Sequence, residues 1–161
     1  MRTRSIGTSR PAPYTLSYTS SGVPGMPSFI VDHIAHNQVT LRVNGYNYAH
    51  TFAIAGNLPP ALAPGARVQG AIHAPAWKVD RVELGGNYVE PLSGRPRRMQ
   101  GTILSVNPAA NELTVQVGYQ AIVKLPPKYQ ASDFKIGERI GWDNLDIPTF
   151  HPDPAAAANG L

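Results

Sequence analysis

Cysteine is absent from the 161 residues. That excludes disulfides, thiolate nucleophiles and cysteine metal sites together, and leaves the compartment open. No apolar run approaches the ~18 residues of a membrane-spanning helix. The N-terminal stretch "MRTRSIGTSRPAPYTLSYTSSGVPG" is basic but lacks the apolar stretch of a secretory signal. These absences predict a soluble chain with no signal peptide and no transmembrane segment, located in a virion or the cytoplasm. A sustained helical period is also missing, so helix is expected only as a turn near "PPALA" or "ASDF".

Catalytic signatures are equally scarce. There is no G-x-S-x-G elbow, and "GGN" at Gly85 to Asn87 lacks the Lys–Ser/Thr of a phosphate loop, so it reads as a turn. "DHIAH" brings Asp32, His33 and His36 close in sequence, but on a strand the two histidines point to opposite faces. His50 lies on the face of Tyr46 and Tyr48 and can equally sit in solvent. Asp143 and Asp146 form a carboxylate pair with no base or further ligand beside them. The expectation is therefore a protein that is not an enzyme, with no catalytic residue, no metal, no cofactor and no small-molecule substrate.

What is present is β pattern. "FIVDHIA", "QVTLRVN" and "YNYAHTFAI" alternate apolar and polar residues, as half-buried strands do. "ARVQGAIHA" and "KVDRVEL" follow, each bounded by Gly or Pro. "HN" at 36–37 and "NG" at 44–45 suit tight hairpins. The second half offers "MQGTILSV", "NELTVQV", "YQAIVKL" and "ERIGWDN", with "NPAAN" as its longer turn.

The two halves also repeat. "NQVTLRVNGY" from Asn37, "LPP" from Leu58 and "GARVQG" from Gly65 recur as "NELTVQVGY" from Asn111, "LPP" from Leu125 and "GERIGW" from Gly137. Three matches in one order point to an internal duplication. Short antiparallel strands in so small a unit must close or pack face to face. The expected fold is all-β: two tandem small antiparallel β-barrels, with a single β-sandwich as the alternative. The strand spacing resembles that of oligonucleotide-binding-like small barrels, which names an architecture and no family. The organisation is an extended N-terminal arm at 1–27, a barrel module at 28–92, a basic linker at 93–98, a second module at 99–150 and a C-terminal tail at 151–161.

Proline (16) and glycine (15) are plentiful, which fits many turns and loose ends. The net charge of +4 is unevenly placed. Each module balances its acids and bases closely, while Arg2, Arg4 and Arg10 lie in the arm and Arg95, Arg97 and Arg98 in the linker. Basic segments outside folded units reach for acidic partners. Tyr14, Leu16 and Tyr18 share one face of "YTLSY", as a segment does that adds to a neighbour's sheet edge. These nine residues are the expected partner-binding set of a structural subunit or accessory, decoration-type protein of a large assembly such as a viral particle. Its partners would be copies of itself and other protein subunits, with no membrane. The alternative is a single-strand nucleic-acid-binding protein, with Tyr46, Tyr48, Trp77, Tyr119 and Trp142 as stacking platforms and Arg42 and Lys124 meeting phosphates.

Overall fold

A computed structural model describes residues 26–43, 49–56 and 62–153. Among the described residues ten strands follow in chain order: β1 (Ser28–Ala35), β2 (Gln38–Val43), β3 (Ala49–Ile54), β4 (Arg67–Arg81), β5 (Tyr88–Glu90), β6 (Arg98–Asn107), β7 (Glu112–Gln116), β8 (Gln120–Lys124), β9 (Arg139–Asn144) and β10 (Thr149–Pro152). The only helical turn among the described residues is a 3-10 turn at Ala131–Asp133, within the "ASDF" stretch. The all-β class follows from the period-two patterns. In β7, for example, Leu113 and Val115 are buried and their neighbours half-buried.

All ten strands belong to one sheet, and the sheet is mixed. Antiparallel pairing alone was expected, but β10 runs parallel to β3 and β4 runs parallel to β8. Both parallel ladders arise because a strand from one half of the chain pairs with a strand from the other. β4 is the organiser. It pairs with β1 near its start, with β10 over Gly70 to His73, with β8 over Ile72 to Pro75, and with β9 from Ala76 onward. The pairings close two circuits through it, β4–β1–β2–β3–β10 and β4–β9–β6–β7–β8.

The sequence pattern expected two strands where β4 runs unbroken, because Pro75 looks like a boundary. Proline lacks only the N–H, and Pro75 lies between the β10 and β9 ladders. There its carbonyl accepts from the Leu145 amide at 2.6 Å, and its missing donor breaks no ladder. Two further strands carry too little alternation to read from sequence: β5 has three residues, and β10 has four that include His151 and Pro152.

Pairing registers recur at a constant spacing of 72. Ile30 faces Arg67 and Thr102 faces Arg139; Phe29 faces Val68 and Gly101 faces Ile140. The ladders β1–β2 and β6–β7 each carry one register shift, between Val31 and His33 and between Ile103 and Ser105. The turn before β4 recurs before β9. Gly65 (φ +93°) donates to the Val31 carbonyl, and Gly137 (φ +95°) to that of Ile103. A left-handed φ at both positions explains the repeated glycine. Extending the same spacing along β4 makes its second half the counterpart of β10 in the other half of the chain. Each half thus sends its last segment into the other half's circuit.

The buried hydrophobic residues form one cluster drawn from both halves. Tyr119, from the second half, packs edge-on against Phe29 and Phe52 of the first, at 5.5 and 6.1 Å between ring centroids. Where the circuits meet, the inner face of β4 carries small groups at Gly70, Ala74 and Ala76. Phe150 of β10 lies over Gly70 so closely that a β-carbon there would fall 2.6 Å from the ring's Cζ. A β-carbon at Gly101 would overlap the Gln116 carbonyl oxygen. Gly101→Ala is therefore expected to destabilise the chain by about 2 kcal/mol or more through forced backbone separation. The urea midpoint should fall well below that of Gly86→Ala, where a β-carbon meets open space.

Candidate functional site

The segment expected to be a basic linker is a strap tied down on both sides. Its first contacts are with β3: the Gly94 amide donates to the Ala49 carbonyl at 2.9 Å, and the Thr51 amide donates to the Gly94 carbonyl at 3.0 Å. Asn144 at the end of β9 holds the next stretch. Its amide donates to the Arg97 carbonyl at 2.8 Å, and its side-chain Nδ2 donates to the Pro96 carbonyl at 3.1 Å. The Asn144 Oδ1 accepts from the buried Trp142 indole Nε1 at 2.8 Å. One asparagine thus satisfies the largest core side chain and fixes the strap.

Two of the three strap arginines are ion-paired. Arg95 reaches Asp146 at 3.3 Å, with both side chains mostly in water. Arg98, at the start of β6, bonds Asp143 at 3.0 Å and comes within 3.9 Å of Asp80. Partial burial opposes the Arg98 charge, but hydrogen bonding and attraction from Asp143, with Tyr88, outweigh it and hold its pKa above the ordinary value. Asp143 and Asp146, paired in sequence, thus serve two different arginines. Arg97 is exposed between them.

Beside the strap is an open concavity of about 770 Å³, lined by Tyr88, Val89 and Glu90 of β5, by Pro91 and Leu92, and by Arg97 and Arg98. β5 pairs with β6, and no second partner of β5 is found among the described residues. Leu92 is 70% exposed at this rim.

Under the strap lies His50. Its sequence position allowed solvent exposure, but the structure buries it, at 1% accessibility. Its Nδ1 is 3.4 Å from the Tyr119 hydroxyl. Burial drives its pKa down, while hydrogen bonding to the backbone at Pro91 and Leu92 works in the opposite sense and does not compensate. His151 on β10 is also lowered, by burial and then by the charge of His73.

The residues expected to bind nucleic acid scatter. Trp142 and Tyr119 are core residues, at 0% and 5% exposure, so neither offers a ring face to a base. Period-two aromatics are also what a sheet core requires, and core packing claims both. Arg42 is ion-paired with Asp32, and the Lys124 ammonium donates to the Ala110 carbonyl. Among the described aromatics of this set, Trp77 alone is open, at 53%, where the β4–β9 register shifts. Tyr46 and Tyr48 lie outside the described residues, as do Arg2, Arg4, Arg10, Tyr14, Leu16 and Tyr18 and the "NG" turn at 44–45. His50, Asn144 and the β5 edge were not foreseen, because their partners are far away in sequence.

No group of three or more His, Cys, Asp or Glu able to hold a metal exists among the described residues. No helix there is long and apolar enough to cross a membrane.

Two measurements test this geometry. Asn144→Ala leaves the Trp142 indole N–H without its acceptor and should cost about 1–3 kcal/mol in urea unfolding. Because His50 is held neutral, the unfolded chain takes up a proton that the folded chain resists. The stability His50 contributes is present above the ordinary histidine value of about 6.5 and is lost as pH falls below it, toward the lowered folded-state value. The melting temperature should decline across that window, and His50→Gln should flatten the decline. A slope unchanged in that variant would place the titration elsewhere. The chain matches no protein-family model, no curated protein and no solved structure, so its geometry alone supports a functional reading.

Proposed function

We propose that this chain is a non-enzymatic interaction protein: a subunit or accessory component of a large assembly, such as a viral particle, that docks on partner proteins. In this reading the two circuits are small barrels built by duplication, sharing β4 and exchanging their last strands. The carrying observation is the state of the cationic and aromatic groups. A single-strand-binding surface needs an unpaired basic footprint beside exposed rings. Here Arg95, Arg98 and Arg42 are engaged by carboxylates, and Tyr119 and Trp142 are inside. What the surface offers instead is large apolar side chains, with Trp77, Leu92 and Leu145 each more than half exposed. Such groups suit the desolvated centre of a protein interface.

The β5 edge and its concavity provide backbone donors and acceptors for strand addition. The segment bearing Tyr14, Leu16 and Tyr18 would supply the complementary strand to a neighbour, with Arg2, Arg4 and Arg10 meeting acidic surface. Arg97, exposed on the strap, would join them.

Light scattering after size exclusion, with the 260/280 nm absorbance ratio of the same peak, tests the reading. The untagged chain should form a nucleic-acid-free multimer that becomes monomeric when residues 1–27 are removed, with the fold intact by circular dichroism. A peak carrying 260 nm absorbance that salt releases would replace this reading with nucleic-acid binding through Trp77 and the lysines.

A further inference from the structure

β10 carries one group that the docking reading does not use. His151 on β10 and His73 on β4 are cross-strand diagonal neighbours: Thr149 faces His73, and His151 faces Ala71. Diagonal neighbours on one sheet face bring long side chains within reach of each other. Here the two imidazoles meet, with ring centroids 4.1 Å apart and planes inclined at 49°. Neither residue belongs to the inner face. His73 is half-buried and His151 exposed, so a solvated ion can approach both.

The surrounding chemistry narrows the ion. The residues paired with the two histidines are Thr149, Ala71 and Ile122, none of them acidic. A site with two neutral nitrogen donors and no carboxylate does not suit Mg²⁺ or Ca²⁺, which take oxygen ligands. Imidazole nitrogens suit Zn²⁺, Ni²⁺ and Cu²⁺, with Cu²⁺ bound most tightly.

We propose that His73 and His151 form a two-histidine clamp for a borderline divalent transition-metal ion, with water completing the coordination. The clamp would span the ladder between β10 and β4. It would staple the strand that the second half lends to the first circuit. Because the ion binds the folded pair and not the separated residues, it would raise stability in proportion to the logarithm of its concentration.

The test uses the untagged full chain, stripped with chelator and titrated with Cu²⁺, then with Zn²⁺. Calorimetry should give one site per chain, and the melting temperature should rise with added metal. The imidazole NMR signals of His73 and His151 should move together under Zn²⁺, while those of His33 and His36 stay in place. His73→Gln and His151→Gln should each weaken binding by about tenfold or more, since a single imidazole remains. His33→Ala should bind as the parent does. Mg²⁺ should give no signal. Equal affinity in the parent and both Gln variants, or a parent that takes up no metal, would overturn the clamp and leave the rings simply packed together. The NMR titration needs no variant, so a misfolded substitution does not blunt the test. The clamp stands independently of the assembly reading.

Discussion

Backbone pairing along both edges of β4 is the constraint on which the rest of the structure depends. Fifteen residues serve four partner strands, three of them from the other half of the chain. A strand used on both edges accommodates a proline most easily in the gap between two partners. Pro75 sits in such a gap. The register shift that exposes Trp77 occurs inside the β9 ladder, where Asp143 faces Lys78 and Asn144 faces Ala76. Small inner side chains at Gly70, Ala74 and Ala76 let two layers of partners come close, and larger groups such as Phe150 and Trp142 fill the remaining volume. Close packing then locks the strand crossing in place.

The strap around residues 93–98 solves a separate problem. The chain must pass from one circuit to the other across a junction rich in buried backbone. Polar anchors on both sides do this: Gly94 to β3, Asn144 to the strap carbonyls, and Arg98 to two aspartates. Buried polar groups are tolerated when satisfied in this way. Electrostatics near the strap serves mainly to hold the chain, while large apolar side chains such as Leu92 and Leu145 stand exposed beside it. That division is what the proposed docking on protein, rather than on nucleic acid, rests on.

Much of the fold was legible in the sequence because period-two burial is a local property. β1, β2, β3, β7 and β8 each declare themselves within five to eight residues, and the recurring Gly65 and Gly137 mark one turn used twice. The mixed sheet was not legible. Whether β10 pairs beside β3 depends on contacts about a hundred residues apart, and four residues hold no period to detect. The site was legible in composition and obscure in geometry. The arginine cluster is plain in "SGRPRRM", but its neutralisation depends on Asp80, Asp143 and Asp146, which only folding brings near. The same alternation that revealed the strands could not say which face of Tyr119 or Trp142 is the inside.

The exchanged strands also bear on the order in which the chain can fold as it is made. The first circuit needs Thr149–Pro152, so β1 to β3 wait for the far end of the described chain before their sheet closes. The second circuit takes its borrowed strand from β4, which is synthesised earlier, and can close once β9 emerges. Synthesis from the N-terminus at about 5–20 residues per second therefore finishes the later half first. Until β10 arrives, the early half holds an unfilled ladder beside β3, open to a strand from any nascent neighbour.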